Sequence, residues 1–81
     1  MESAGPTVLW RLFRSPGHRR LGEGGAHLRA VMLPGGPPYT VSFFADDQLD
    51  RAENYDTIEL AMFRADEIRR SLAADGWSED S

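Results

Sequence analysis

The residues best able to do chemistry in this sequence are two histidines and two pairs of adjacent carboxylates. They are His18, His27, the pair Asp46-Asp47 and the pair Asp66-Glu67. A zinc ion takes about four ligands, and no cysteine is present to join the two imidazoles. Adjacent side chains in a strand or helix point apart, so neither acidic pair is preset to share a proton. These residues predict neither a metal site nor an acid–base catalyst.

A glycine-rich run at Gly22, Gly24 and Gly25 could cradle a phosphate. Phosphate loops present backbone N–H groups at the start of a helix, and the common form ends in Gly-Lys-Ser or Gly-Lys-Thr. The run has no such ending, and a predicted strand follows it. We therefore predict a loop over residues 15–25, no cofactor and no enzymatic activity.

The length of 81 residues predicts one domain, residues 1–81, with a thin core. Small secreted domains of this size usually carry disulfides, so the absence of cysteine favours a cytoplasmic location. The first residues contain neither a basic segment nor an apolar core, so the pattern does not predict a signal peptide. No apolar run approaches the roughly 20 residues of a membrane helix, and we expect no membrane partner.

Charge is divided unevenly along the chain. Residues 1–45 contain five arginines and two acids, a net of +3, whereas residues 46–81 contain four arginines and eleven acids, a net of −7. The two values sum to the total of −4. Such a division can orient a partner or a second copy of the chain.

Three segments are rich in aromatic and branched residues and read as strands: residues 7–14, 26–33 and 39–45. Glycine and proline punctuate the connections between them. Residues 48–53 fit either a short fourth strand or an irregular connection. Residues 1–6 and 78–81 are predicted to be tails.

A helix is predicted over residues 57–75, which contain no glycine or proline. Asp56 is a favoured N-cap and Glu59 completes a capping-box pattern. Gly76 suits the left-handed residue after the helix, and Trp77 follows it, where an apolar side chain often folds back. The whole pattern predicts an α+β fold, an antiparallel sheet of three to four strands packed on one C-terminal helix.

Helical periodicity places an apolar stripe on the face of the helix that should meet the sheet. The stripe is Ile58, Ala61, Met62, Ala65, Ile68 and Leu72. Alternation along the strands, with no bulge assumed, gives the sheet an apolar core face. That face is Val8, Trp10, Leu12, Leu28, Ala30, Met32, Tyr39, Val41 and Phe43. The opposite sheet face is mixed, and its apolar members are Leu9, Phe13, Val31, Leu33 and Phe44.

Surplus apolar residues on both layers predict a non-enzymatic protein-interaction domain. It would associate with itself, as a homo-oligomer, or dock on and inhibit a larger protein, as acidic phage-type inhibitors do. Aromatic, aliphatic and arginine side chains supply most interface energy, so we expect these to be the partner-binding anchors. The anchors are Phe13, Arg29, Phe44, Leu60 and Phe63.

The alternative hypothesis is binding of single-stranded or structured nucleic acid on the mixed sheet face. Its basic residues are Arg11, Arg19, Arg20 and Arg29, interleaved with aromatic side chains that could stack on bases. The net charge of −4 opposes nonspecific binding to phosphates, which depends on charge neutralisation.

Overall fold

A computed structural model describes residues 5–15 and 26–79, which form one antiparallel sheet and one helix. The strands are β1 (Thr7–Arg14), β2 (Ala26–Met32), β3 (Tyr39–Ala45), β4 (Gln48–Tyr55) and β5 (Ser78–Glu79). The helix α1 (Ile58–Ala74) lies between β4 and β5 in the chain, and the strand order is β4-β3-β2-β1-β5. The predicted α+β fold, with the sheet packed on a C-terminal helix, is confirmed.

Residues 48–53, which fit either a strand or an irregular connection by sequence, belong to the full strand β4. Asp46 and Asp47 form a two-residue turn with φ of 51° and 69°, which sets Ala45 opposite Gln48. Aspartate tolerates this left-handed region, and turns of this twist match the flanking strands. The turn therefore starts β4, which continues to Tyr55.

The prediction of a C-terminal tail over residues 78–81 is wrong at its first two positions. Glu79 pairs with Leu12 and Ser78 with Phe13, which adds β5 beside β1 and gives the sheet five strands. β5 and β1 lie far apart in the sequence, and they can pair only because α1 returns the chain to the edge of β1. Residues 80–81 and residues 1–4 of the predicted tails lie outside the described residues, as does most of the 15–25 loop.

Helix α1 begins one residue later than predicted. Thr57, not Asp56, is the N-cap, because its backbone is extended and its Oγ1 accepts a hydrogen bond from the Leu60 N–H at 3.1 Å. At the other end Gly76 adopts φ of 104°, and the Trp77 N–H donates to the Leu72 carbonyl at 3.1 Å. This is the predicted glycine-terminated end. Within the described part of the chain α1 is the only helix, and it is neither long nor apolar enough to span a membrane.

The core lies between the sheet and α1. Its buried members are Trp10, Leu12, Ala30, Val41, Phe43, Ala61, Ala65 and Trp77. Small side chains at Ala61 and Ala65 let the helix approach the sheet closely. The indole Nε1 of Trp10 donates to the carbonyl oxygen of Ala65 at 2.9 Å, which satisfies a buried polar group and ties β1 to α1.

A β-bulge corrects the predicted faces of β1. The pairing shifts between Val8, which lies opposite Val31, and Trp10, which lies opposite Ala30, so Leu9 is the extra residue. Val8, predicted in the core, is therefore on the other face and 39% exposed, whereas Leu9 packs against the core. Val31, predicted to add apolar surface, is buried between β1 and β3.

The predicted helix stripe is buried only along its centre. Ala61 and Ala65 are buried and Ile68 and Leu72 are half-buried. Ile58 and Met62 are 47% and 46% exposed. At about 100° per residue these two lie roughly 60° and 100° from Ala61, at the margin of the contact. Their exposure enlarges the apolar surface at the start of the helix.

Candidate interaction surfaces

The sheet face opposite α1 carries two arginines side by side. The register places Arg11 of β1 directly opposite Arg29 of β2, and Arg29 opposite Phe44 of β3. The guanidinium carbon of Arg29 lies 4.3 Å from the centre of the Phe44 ring. Its Nη1 donates to Oδ1 of Asp47 at 2.5 Å. Arg29 is thus held over an aromatic ring, whereas Arg11 is exposed.

The β3–β4 turn is fastened to β2 beside this arginine pair. The Asp46 carboxylate accepts from the His27 N–H at 2.9 Å, and the Asp46 N–H donates to the His27 carbonyl at 2.8 Å. The imidazole of His27 lies 5.1 Å from the ring of Phe13, measured between centroids. An open depression of about 390 Å³ results, lined by Arg11, Leu12, His27, Leu28, Arg29, Asp46 and Asp47.

Arg11 differs from the other arginines within residues 5–15 and 26–79. Each of the others lies within 4.0 Å of a carboxylate, whereas no such pair involves Arg11 there. The pairs are Arg14–Asp75, Arg29–Asp47, Arg51–Glu53, Arg64–Glu67, Arg69–Asp66 and Arg70–Asp66. Like charges directly opposite one another on neighbouring strands repel and destabilise the pairing. A bound anion would reduce this repulsion between Arg11 and Arg29.

A second surface is the helix patch, formed by Ile58, Leu60, Met62 and Phe63. Their exposed fractions are 47%, 51%, 46% and 60%. Leu60 and Phe63 point away from the sheet, and Met62 lies beside Leu9 at the β1 margin. Charged residues of both signs surround the patch, and the Arg64 Nη1 donates to Glu67 at 2.8 Å. Such a concentration of exposed apolar side chains on one helix often marks an interface.

The five predicted anchors are divided between the two surfaces. Phe13, Arg29 and Phe44 lie half-buried on the sheet face, and Leu60 and Phe63 lie exposed on α1, on the other side of the sheet. The structure therefore does not bring them together as one site. Of the predicted nucleic-acid-binding arginines, Arg11 and Arg29 are neighbours. Arg19 and Arg20 lie outside the described residues.

Sequence reasoning missed three exposed apolar residues that belong to these surfaces. Leu49 is 60% exposed and lies opposite Phe44, on the sheet face. Leu49 lies on this face because β4 forms and has a bulge at Asp50. The sequence did not decide whether residues 48–53 form a strand. Ile58 and Met62 were predicted to be in the core, because periodicity alone does not show how narrow the helix–sheet contact is.

Several of the remaining carboxylates are engaged in ion pairs with arginines. Hydrogen bonding from Arg69 lowers the pKa of Asp66, which Arg70 also approaches at 3.1 Å. Burial raises the pKa of Tyr55 to about 12, and the hydrogen bond from its hydroxyl to Glu53 adds to the shift. In the described part of the chain no group of three or more potential ligands is placed to hold a metal ion. These contacts favour structural roles for the acids.

No protein-family model, curated protein or solved structure matches the chain. The two surfaces are therefore the basis for assigning a function.

Proposed function

We propose that this chain is a non-enzymatic protein-interaction domain that associates with a second copy of itself through the helix patch. The observation that carries the proposal is the exposure of four large apolar side chains within six positions of α1: Ile58, Leu60, Met62 and Phe63. Burial of apolar surface contributes about 25 cal/mol per Å², and a few such residues dominate most interfaces.

The charges around the helix patch favour a second copy as the partner. Glu59 and Glu67 alternate with Arg64 and Arg70 on the same exposed side of α1. A two-fold axis crossing the helix would run the two helices antiparallel and set acids of one copy near arginines of the other. Leu60 and Phe63, one turn apart, would then pack against the same pair of the partner.

Sedimentation equilibrium over a wide range of protein concentration tests the proposal. The wild-type chain is expected to sediment as a dimer at high concentration. Phe63→Asp and Leu60→Asp are expected to be monomeric at every concentration, because each places a charge in an apolar interface. Circular dichroism should show the wild-type fold, since both side chains are at least half exposed.

Leu49→Asp is the matched control. Leu49 is as exposed as Phe63, at 60%, but it lies on the sheet face. Its substitution is expected to leave the dimer intact. A wild-type chain that stays monomeric contradicts self-association, and a dimer lost in Leu49→Asp but kept in Phe63→Asp assigns the interface to the sheet.

Docking on a larger protein and inhibiting it is the other form of this function, and it would use the same apolar anchors. The acidic second half of the chain, with its net charge of −7 from four arginines and eleven acids, would favour a basic partner surface. A cytoplasmic location belongs to the same proposal and is supported by the absence of cysteine.

A further inference from the structure

The sheet face opposite α1 is independent of the helix patch, because no residue belongs to both. No described helix or strand covers it. At its centre Arg11 and Arg29 stand directly opposite each other. Of the two, only Arg29 has a carboxylate partner among the described residues. That partner is Asp47, whose side chain is 88% exposed to water. An exposed ion pair is weak, so an incoming anion can compete with Asp47 for Arg29. At Arg11 it meets no competing carboxylate of residues 5–15 and 26–79.

The surroundings of the arginine pair are flat and aromatic. Phe44 supports the Arg29 guanidinium at 4.3 Å, and Phe13 lies two residues beyond Arg11 on the same face of β1. Leu49 of β4 lies directly opposite Phe44 on the same face and is 60% exposed. Unpaired bases stack on aromatic rings and on guanidinium planes. A carboxylate side chain of a peptide can pair with the guanidinium groups but gains nothing from the aromatic rings.

The negative charge of the chain lies largely elsewhere. Apart from Asp46 and Asp47 at one end of the face, the described acids belong to β4, α1, the residues that flank α1, and β5. The acid of β5 is Glu79, which lies opposite the core residue Leu12 and accepts a hydrogen bond from Arg69 of α1, on the other side of the sheet. Strands β1 and β2 contain Arg11, Arg14 and Arg29 and no acid. A single strand lying along β1 and β2 would meet positive charge.

We infer that this face binds single-stranded nucleic acid, with Arg11 and Arg29 contacting phosphates and Phe44, Phe13 and Leu49 contacting bases. Recognition of this kind carries little sequence preference, because every base presents a flat face and every nucleotide a phosphate. The affinity must fall with salt, since each neutralised phosphate releases counterions.

Fluorescence anisotropy of a labelled oligothymidylate of about ten nucleotides tests the inference. Arg11→Ala and Arg29→Ala are each expected to weaken binding by about tenfold, and to lower the slope of log affinity against log salt by about 0.7. Arg51→Ala is the matched control, because 50% of its side chain is exposed and it lies over Phe43, on the face of the sheet that α1 covers. That variant is expected to bind like the wild type.

Three results would overturn the inference. One is the absence of salt-dependent binding by the wild-type chain at low ionic strength. Another is an equal loss of affinity in Arg51→Ala and Arg11→Ala, which would indicate a diffuse charge effect. The third is tighter binding of a glutamate-rich peptide than of the oligonucleotide, which would make the ligand an acidic protein segment. None of these results bears on the helix patch, so the two proposals fail separately.

Discussion

Tyr55 shows how one residue of β4 is tuned by its neighbours. It lies two positions from Glu53 on the same face of the strand, and its hydroxyl donates to the Glu53 carboxylate. Burial disfavours the charged phenolate, and the nearby carboxylate disfavours it further, which raises the pKa of Tyr55 to about 12. In the unfolded chain the Tyr55 hydroxyl would lose its proton near pH 10.

An alkaline titration checks this shift. Tyr39→Phe removes the other tyrosine and keeps its ring, so the ultraviolet absorbance of phenolate reports Tyr55 alone. We expect a midpoint near pH 12 in the folded chain, and a lower one when Glu53→Gln is added. The pKa of Tyr55 is higher in the folded chain than in the unfolded chain. Its contribution to the free energy of unfolding is therefore fully present below about pH 10 and is lost as the pH rises through 12. A midpoint near 10 in the folded protein would contradict the assigned contact.

The connection between β2 and β3 is set by two consecutive glycines. Gly35 and Gly36 have φ of 100° and 121°, in the region that side chains disfavour. The ring of Tyr39 lies against Gly36, where an added Cβ would come within 2.5 Å of ring carbons, and nothing lies within 4 Å of the corresponding position at Gly35. The two glycines therefore share a backbone constraint but differ in packing.

Substitution by alanine separates these effects. Gly35→Ala should lower the free energy of unfolding by about 1 kcal/mol, from backbone strain alone. Gly36→Ala should lower it by about 3 kcal/mol, because the same strain is joined by a clash with Tyr39. Urea denaturation monitored by circular dichroism measures both. Equal losses would show that the Tyr39 ring moves aside at no cost.

At the scale of the molecule, the decisive feature is that, in the part of the chain that the structure describes, one helix covers one face of a five-stranded sheet. The helix patch and the arginine pair therefore lie on opposite sides of the chain. A dimer formed through α1 would leave the sheet face opposite α1 uncovered by the partner in each of the two copies, and so free to bind a ligand.

The two proposed activities should therefore be separable. Phe63→Asp should abolish self-association and leave the affinity of each chain for a short oligonucleotide unchanged. Arg11→Ala should weaken oligonucleotide binding and sediment as a wild-type dimer. Sedimentation and anisotropy on the same two samples provide the measurement. Loss of both activities in either variant would indicate one shared surface or an unfolded chain, and circular dichroism distinguishes these.

The sequence by itself determined β1, β2, β3 and α1 and the order in which they occur. Aromatic and branched residues in 7–14 and 39–45 predicted strands, and Gly76 with Trp77 marked the end of α1, because such signals depend on neighbours within a few residues. Trp10, predicted on the core face of the sheet, and Trp77, predicted to fold back after the helix, are each 9% exposed.

Only the tertiary structure decided the register and the faces. The bulge at Leu9 moved Val8 out of the core, and β5 formed because α1 returned Ser78 and Glu79 to β1. The direct opposition of Arg11 and Arg29 follows from the register in which β1 pairs with β2. A shift of one residue reverses every side chain beyond it, and no local pattern in this sequence encodes such a shift.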